Sequence, residues 1–255
     1  MQIVAATAPT PGQVNEDFVI TGPTWALVLD GATTRPDVNT GCIHDVPWFV
    51  RHLAIEFALL LTNSPDRPLD DTLADAIVAT RRLHEHTCDL INPDSPSAAV
   101  AAIRTRDGQL DYLVLADSPL IVDVGGRVDA IIDDRTARLT DYSVAGVRAA
   151  RNSADGFYVA STVPDAAYQA VRGSLPTTRL RRAALLSDGA ARLVERFHLA
   201  DWKQLLDLLS GEGPEELIRR TRLAELNETE AERTQRRGKK HDDATAVLIT
   251  HLNLA

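Results

Sequence analysis

The sequence has little cysteine and no long hydrophobic run. Two cysteines, Cys42 and Cys88, occur in 255 residues, which is too few for the disulfide framework of a small secreted domain. No apolar run reaches the roughly 20 residues of a membrane-spanning helix, and the first residues lack the charged-then-apolar layout of a secretory signal peptide. We therefore expect a soluble, cytoplasmic protein with no membrane partner.

Basic residues are also in the minority. Lys and Arg number 27 against 36 Asp and Glu, so the net charge is −9. This balance argues against a protein that grips DNA or RNA through its phosphates. A hydrophobic content of 44% excludes wholesale disorder. No Pro- or Gly-rich linker divides the chain, so we expect one domain over residues 1–255 and a monomer.

Short apolar runs separated by turn signals predict an α+β fold. The strands come in blocks beside helices rather than in strict alternation with them, which favours layered sheets over repeated β-α-β units. Asp107-Gly108 and Gly125-Gly126 are hairpin signals between such runs. The predicted strands are residues 18–20, 25–29, 98–103, 112–116, 120–124, 128–132, 157–160, 183–186 and 246–249.

Two helices are predicted between the early and the middle strands. The first begins at Pro47, with Asp45 as its candidate cap. The second is capped by Asp70 or Asp71 and runs to Ile91, where an Asn-Pro pair ends it. Later helices are predicted at residues 190–197, 199–209 and 214–226, and a loop or frayed helix end at residues 227–240.

Acidic residues recur where an apolar strand meets a loop. A lone Asp-Gly of this kind is far more often an ordinary turn. Four or five carboxylates that converged at one sheet edge would raise each other's pKa values unless a cation neutralised them. Clusters made only of oxygen ligands suit hard ions such as Mg²⁺ or Mn²⁺ rather than zinc. The acidic positions are Glu16, Asp17, Asp30, Asp117, Asp188, Asp242 and Asp243.

The order of these acidic motifs resembles the metal-dependent protein phosphatase family, protein phosphatase 2C, in the form of a divergent bacterial-type member. The resemblance extends from about residue 2 to residue 252 and includes the apolar stretch 97–101. Its most specific motifs are Leu-Leu-Ser-Asp-Gly at 185–189 and Asp-Asp-Ala-Thr-Ala-Val at 242–247. It implies a four-layer α-β-β-α sandwich, in which helix pairs flank two antiparallel sheets, with two Mn²⁺ or Mg²⁺ ions, or three, at one edge.

The resemblance also implies the metal ligands. Asp30 and the carbonyl of Gly31 would bridge both ions, and the missing Cβ of Gly31 lets that carbonyl approach an ion closely. The remaining implied ligands are Glu16 for one ion, Asp188 and Asp242 for the other, and Asp117 for a weaker third, with Asp17 and Asp243 in supporting positions.

The reaction implied is hydrolysis of phosphoric monoesters, most simply on phosphorylated serine or threonine of proteins. Two ions can share a bridging water and lower its pKa toward neutral, and that hydroxide would attack phosphorus in line. No protein nucleophile is needed. Cys42 and Cys88 lack the downstream Arg of a Cys-x₅-Arg phosphatase loop, and no Gly-x₄-Gly-Lys-Ser/Thr motif is present.

Two departures from the family pattern bear on the substrate. No basic residue lies at positions 10–14, where family members carry a phosphate-binding Arg, and Ala32 follows the Asp-Gly pair. Arg35 is a candidate for the missing cation or a solvated loop residue. His44 is a candidate general acid or a structural residue at the helix start. The departures favour a small phosphorylated metabolite as an alternative substrate, or a catalytically weak or inactive binding module as an alternative function.

Two further groups have a simpler interpretation. His84 and His86 are two positions apart on a predicted helix and point in different directions, so we expect a solvated helix face rather than a metal site. A basic run precedes Asp242 and is either a solvated loop or a cover that attracts phosphorylated substrate to the acidic site. The run contains Arg233, Arg236, Arg237, Lys239 and Lys240.

Overall fold

The elements of secondary structure form a sandwich of strands and helices. This computed structural model describes residues 1–236 and 239–252, and within them ten strands and seven α-helices occur. The strands are β1 (Gln2–Ala8), β2 (Phe18–Thr21), β3 (Trp25–Gly31), β4 (Ala98–Arg106), β5 (Gln109–Leu115), β6 (Leu120–Val124), β7 (Arg127–Ile131), β8 (Val171–Pro176), β9 (Leu180–Leu186) and β10 (Ala244–Thr250). The helices are α1 (Val46–Asn63), α2 (Leu69–Arg82), α3 (Val144–Ala150), α4 (Asp188–Glu195), α5 (Trp202–Glu212), α6 (Pro214–Asn227) and α7 (Glu230–Arg236).

The strands form two five-stranded sheets in which all paired neighbours are antiparallel. The first sheet has the order β1-β10-β9-β6-β7 and the second the order β2-β3-β4-β5-β8. The first sheet therefore pairs the two ends of the chain, because β1 lies beside β10 with Gln2 opposite Thr250. This pairing brings the last acidic motif next to the first.

Both sheets are buried on both faces, which explains why their central strands are almost continuously apolar. In β3, Ala26 and Val28 face the other sheet, whereas Leu27 and Leu29 face α1 and α2. The alternation follows from the two-residue period of a strand. The core between the sheets also contains residues of β9 and β10, such as Leu185.

Helices cover the two outer faces, which confirms the predicted four-layer α-β-β-α sandwich. The pair α1 and α2 packs on the second sheet, and α5 and α6, together with the short α4, pack on the first. As expected, Asp45 caps α1, because its carboxylate accepts a hydrogen bond from the Trp48 backbone N–H at 2.9 Å. Among the described residues, no helix combines the length and the apolar character that crossing a bilayer requires.

Two edge strands were missed by the sequence pattern. β1 and β8 lie at sheet edges, and most of their side chains are at least partly exposed. β8 also contains Gly173 and ends at Pro176, residue types that weaken a strand prediction. Conversely, the predicted strand at 157–160 is not a strand of either sheet, since only isolated bridges, such as Ala98 to Ala160, pair it.

Several predicted helix bounds were also wrong. α2 ends at Arg82 rather than Ile91, and the following segment forms turns in which Ile91 is exposed. Neither Asp70 nor Asp71 caps this helix, because both lie within its first turn and Pro68 holds the cap position without a side-chain bond. Part of the polar segment 227–240 forms the helix α7.

Candidate metal centre

Four of the predicted carboxylates lie at the same end of the sandwich. Asp30 is the next-to-last residue of β3, Asp117 follows β5, Asp188 is the first residue of α4 after β9, and Asp242 precedes β10. Together with Gly31, these four side chains line one open cleft of about 750 Å³. The antiparallel registers of the two sheets therefore bring together acidic residues that are more than 200 positions apart in the chain.

A direct hydrogen bond joins two of these positions. Asp30 Oδ2 accepts the backbone N–H of Asp188 at 3.0 Å. This N–H belongs to the first turn of α4, where no intrahelical partner is available, so the carboxylate satisfies an otherwise unpaired donor. The contact fixes the start of α4, and with it the Asp188 side chain, against the end of β3.

Glu16, a predicted metal ligand, does not itself line the cleft but contacts it through Thr33. The Thr33 hydroxyl donates to Glu16 Oε2, and Thr33 itself lines the cleft. The backbone N–H of Glu16 donates to Asp243 Oδ2 at 2.6 Å, and the N–H of Thr10 donates to Asp243 Oδ1. Asp243 thus positions the first acidic motif and, unlike Asp242, does not line the cleft.

Two glycines allow the close packing that assembles the site. A Cβ on Gly31 would lie 2.5 Å from the backbone oxygen of Glu16, and one on Gly189 would lie 1.8 Å from the backbone oxygen of Asp243. Any larger residue would push these segments apart. The Asp-Gly pairs at 30–31 and 188–189 therefore have a structural reason beyond a turn: each glycine lets its strand or helix end meet the partner motif.

The turn that presents Asp117 is held in a costly conformation. Ala116 has a φ of +63°, which non-glycine residues adopt rarely. Its N–H donates to Asp133 Oδ2 at 2.9 Å, and Arg135 forms an ion pair with the same carboxylate at 2.6 Å. The buried Asp133 carboxylate, whose charge is neutralised by Arg135, therefore holds the backbone in the conformation that places Asp117 in the cleft.

Burial and mutual repulsion raise the pKa values of three of the clustered carboxylates, Asp30, Asp117 and Asp188. For Asp30, burial is the main cause, and the charges of Asp17, Asp188 and Asp117 add to it. Burial also raises the pKa of Asp188, with Asp242 as the largest neighbouring charge, and that of Asp117. These shifts show that the cluster is electrostatically unfavourable when it is ionised without additional cations.

Asp17 lies next to the cluster and adds to the electrostatic repulsion among its carboxylates. It is buried, and the side chains of Thr245 and Ser187 are the hydrogen-bonding groups beside its carboxylate. Burial raises the pKa of Asp17 to about 7; Thr245 and Ser187 oppose this shift, whereas the charges of Asp243 and Asp242 add to it. A divalent ion in the cleft would lower the free energy of the ionised forms of Asp17 and its neighbours.

Basic side chains form the opposite wall of the cleft. Asp242 pairs with Arg192 (Nη2–Oδ2 2.8 Å) and Lys239 (Nζ–Oδ1 3.1 Å). The sequence analysis missed Arg192, although it lies one helical turn after Asp188 on the same face of α4. The basic residues that line the cleft are Arg151, Arg192, Arg196, Arg236 and Lys239.

The basic run before Asp242 is divided between cleft and surface. Arg236 and Lys239 line the cleft, as the cover interpretation requires. Arg233 pairs with Glu230 at 3.8 Å, and the Lys240 side chain is exposed while its carbonyl accepts from Arg192. Arg237 falls outside the described residues.

The structure does not bring the other two candidate catalytic residues into this cleft. Arg35 is exposed, pairs with Asp37 at 3.4 Å, and lines a smaller neighbouring cavity of about 120 Å³. The His44 ring stacks on Trp48 with a centroid distance of 3.9 Å, and His44 does not line the carboxylate cleft. The geometry therefore favours the structural role of His44, because a general acid must reach the leaving oxygen.

The sequence match and the fold agree on the family. Residues 10–227 match the family model described as protein phosphatase 2C. The chain belongs to the protein phosphatase 2C family. Membership makes it a metal-dependent phosphatase, a phosphoric monoester hydrolase that uses Mn²⁺ or Mg²⁺, as the motifs predicted. Compared by sequence, no curated protein matches the chain.

Solved structures of serine/threonine phosphatases show the same fold. The phosphatase MsPP of Mycobacterium smegmatis, solved with cacodylate, is 18% identical over 98% of each chain, with a TM-score of 0.60. The Mycobacterium tuberculosis phosphatase PstP/Ppp is 17% identical over 97% of each chain, with a TM-score of 0.57. The catalytic domain of PstP, solved with two manganese ions, is 17% identical over 97% of this chain and 96% of that one, with a TM-score of 0.58.

Proposed function

We propose that this phosphatase acts on phosphorylated serine or threonine of proteins and holds two Mn²⁺ or Mg²⁺ ions in the carboxylate cleft. The proposal rests on the convergence of four carboxylates in one cleft, because bound cations would relieve the repulsion between their charges. Their donors are all oxygens, which fit hard divalent ions. The proposed ligands are Asp30, the carbonyl of Gly31, Glu16, Asp188 and Asp242, with Asp117 for a third ion.

The chemistry proposed for the ions is that of a two-metal hydrolase. When bound, two such ions would lower the pKa of a shared water, supply the attacking hydroxide and offset charge on the phosphoryl oxygens. The protein's own contribution is positional. Asp30 holds the Asp188 backbone, Asp243 holds the Glu16 backbone, and these contacts keep the carboxylates together before an ion arrives.

Arg151 is the residue best placed to bind the substrate phosphate. It lines the cleft beside Asp30 and Asp117, and its guanidinium donates to the backbone carbonyls of Pro93 and Ser95. Within the described part of the chain, no carboxylate forms an ion pair with Arg151, so its charge is available to a phosphate. It would replace the cation that positions 10–14 lack.

A phosphorylated protein is a better fit to the cleft than a small metabolite. The cleft is open to solvent, and Arg196, Arg236 and Lys239 line it together with the carboxylates, although Arg196 and Arg236 are also ion-paired with Glu228. An open cleft of this kind offers contacts to residues that flank a phosphorylated side chain. A monomeric state, a cytoplasmic location and the absence of nucleic-acid and membrane partners stay predictions.

A test compares the wild-type chain with an Asp188→Asn variant. We expect Mn²⁺-dependent hydrolysis of p-nitrophenyl phosphate and of phosphoserine or phosphothreonine peptides, abolished by EDTA, and a loss of about a hundredfold or more in Asp188→Asn because a proposed metal ligand loses its charge. The exposed Asp155 offers a matched control, since Asp155→Asn should keep full activity. Activity that persists in metal-free Asp188→Asn protein would overturn the two-metal proposal.

The Lys239 ammonium supports a second candidate, a binding module with little turnover. It donates to Asp242 Oδ1 at 3.1 Å and to the Thr33 hydroxyl at 2.6 Å, so it competes with a metal ion for the same carboxylate. If the wild-type chain binds Mn²⁺ only weakly and turns over none of these substrates, the binding module is favoured. Robust Mn²⁺-dependent turnover excludes it.

A further inference from the structure

Both cysteines and a buried histidine meet outside the carboxylate cleft. Cys42 Sγ lies 2.8 Å from Cys88 Sγ and 3.4 Å from His84 Nδ1. One ligand atom from each of the three residues lies within 4.8 Å of the other two. None of the three lines the carboxylate cleft, so this cluster is a separate chemical feature.

Two distant segments are pinned together to form the cluster. Cys42 belongs to the connection between β3 and α1, and His84 and Cys88 belong to the turns after α2. The Asp89 N–H donates to the Gly41 carbonyl at 2.8 Å, and Gly41 has a φ of +68°, with Asn92 packed where a Cβ would lie. The juxtaposition is therefore built into the backbone rather than left to flexible side chains.

The arrangement overturns the expectation of a solvated His84. The Cys88 N–H donates to the His84 carbonyl at 3.0 Å, so the two residues lie one helical turn apart and present their side chains to the same side. His84 is only 2% exposed, and its Nε2 has no hydrogen-bond partner among the described residues. His86, in contrast, is exposed beside Glu85.

The chemistry of these three groups matches a zinc-type ion rather than the hard ions of the carboxylate cleft. Thiolates and imidazoles are the usual ligands of Zn²⁺, which prefers four of them in a tetrahedron. Cys42 and Cys88 are both partly exposed, which leaves a route for an ion.

His44 is a neighbouring candidate for a fourth ligand, but its ring nitrogens do not lie within 4.8 Å of all three ligand atoms, so its side chain would have to move when an ion binds. Its ring centroid lies 5.9 Å from that of His84, edge to face, and stacking on Trp48 at 3.9 Å orients it. His52 stacks on the same indole at 4.1 Å, with Nδ1 committed to the Trp48 carbonyl. Both cysteines and His84 therefore meet at one point, with His44 beside His84.

We propose that Cys42, His84 and Cys88 bind one Zn²⁺-type ion, with His44 completing the tetrahedron. Binding would move the two sulfurs apart, since thiolates at about 2.3 Å from a tetrahedral zinc lie about 3.8 Å from each other. A disulfide between Cys42 and Cys88 is the competing outcome, but it would leave the His84 imidazole without a role. The ion would tie the segment that leaves Gly31 to the end of α2.

Cobalt substitution tests the proposal directly in the full chain. The reduced wild-type protein, freed of metal, is titrated with Co²⁺ in the presence of excess Mg²⁺, which occupies oxygen sites. We expect one equivalent to produce intense visible d–d bands of a tetrahedral ion and a thiolate-to-cobalt charge-transfer band, both removed by one equivalent of Zn²⁺. Cobalt held only by carboxylates gives no thiolate band, so the signal belongs to this cluster.

Single substitutions assign the ligands. Cys42→Ser, Cys88→Ser and His84→Asn should each weaken Zn²⁺ binding by about a hundredfold or more, and His44→Asn should weaken it less and alter the d–d bands. His86→Asn is the matched control, because this exposed neighbour lies off the cluster, and it should bind as the wild type does.

Three results would overturn the proposal. One is the absence of a thiolate-to-cobalt band in the reduced wild-type chain, a measurement that does not depend on how any variant folds. Another is a Zn²⁺ affinity equal to that of the wild type in Cys42→Ser or Cys88→Ser. The third is evidence for a Cys42–Cys88 disulfide instead of a metal site. In that case the unreduced protein would have a mass lower by two hydrogens and no titratable thiol, and the reduced protein would still bind no metal.

Discussion

Two residues, Arg151 and Arg35, are candidates for the side chain that binds the substrate phosphate. Arg35 follows the Asp-Gly pair in sequence, but its side chain is 62% exposed and pairs with Asp37. Arg151 is 121 positions from Asp30, yet both line the same cleft. Burial lowers the pKa of Arg151, so an incoming phosphate would stabilise its charged form.

At the residue scale, we predict that Arg151→Gln weakens phosphate binding and that Arg35→Gln does not. Loss of one charge-assisted hydrogen-bonding group should raise KM for a phosphopeptide, and the inhibition constant for inorganic phosphate, by about tenfold, or roughly 1.4 kcal/mol. Steady-state kinetics at saturating Mn²⁺ measure both constants. An unchanged inhibition constant in Arg151→Gln, or a tenfold rise in Arg35→Gln, would reverse the assignment.

The helix α5 shows how local capping sets an element boundary that hydrophobic pattern alone misplaces. The pattern predicts a helix from residue 199, but α5 begins at Trp202 because Asp201 and Gln204 form a capping box. Asp201 Oδ1 accepts the Gln204 N–H at 2.7 Å, and Gln204 Oε1 accepts the Asp201 N–H at 2.8 Å. The helix then buries Leu205, Leu206 and Leu209 against the first sheet.

At the element scale, Asp201→Ala should lower the free energy of unfolding by about 1 kcal/mol, because the backbone N–H of Gln204 loses its acceptor. Asp201→Asn keeps an acceptor oxygen and should cost only a few tenths of that amount. Urea denaturation followed by circular dichroism measures the difference. Equal stabilities of the Ala and Asn variants would show that the cap contributes nothing. The kcat of both variants should stay unchanged, since Asp201 does not line the cleft.

At the scale of the whole molecule, negative charges that repel one another are concentrated at one end of the sandwich. The net charge of −9 is a bulk quantity, but Asp30, Asp117, Asp188 and Asp242 concentrate part of it in a single cleft. Arg192 and Lys239 offset only Asp242 by direct ion pairs. The folded state without metal therefore favours protonated carboxyl groups at this end more than the unfolded chain does.

At the scale of the molecule, stability of the metal-free protein should fall as pH rises from about 4 to about 7. The pKa of Asp17 is about 7 in the folded protein against 3.8 ordinarily, and those of Asp30 and Asp188 are also raised. In this window the folded state binds more protons than the unfolded state, so each such group contributes a slope of up to about 1.4 kcal/mol per pH unit. Added Mn²⁺ should reduce or reverse the slope, because ions bind the ionised carboxylates.

Urea unfolding at several pH values, in EDTA and in Mn²⁺, measures this slope. Asp30→Asn and Asp188→Asn should flatten the profile in EDTA, whereas Asp155→Asn should leave it as in the wild type. The explanation fails if wild type and Asp188→Asn have the same slope without metal.

Short-range physics explains what could be predicted from the sequence. The apolar runs of β3, β4, β9 and β10 and the Asp45 cap are local patterns, and they predicted layers of strands and helices. The acidic motifs are also local, and their resemblance to protein phosphatase 2C implied the four-layer sandwich and most of the cleft carboxylates. Edge strands such as β8 escaped because half-exposed strands with Gly173 and Pro176 lack that pattern. The end of α2 escaped because contacts with Gly41, more than 40 positions away, hold the turns that follow it.

Tertiary structure alone decided which charged and metal-ligating groups meet. Asp243 contacts Thr10 across 233 positions, Arg192 reaches Asp242 across 50, and Cys42 meets Cys88 across 46. No local periodicity encodes such distances, since they depend on the register of two sheets and on glycines at positions 31, 41 and 189 that let backbones approach. The sequence by itself determined which acidic motifs the protein contains. The packing of the sheets and helices determined which basic side chains lie beside those motifs and that the two cysteines lie beside each other.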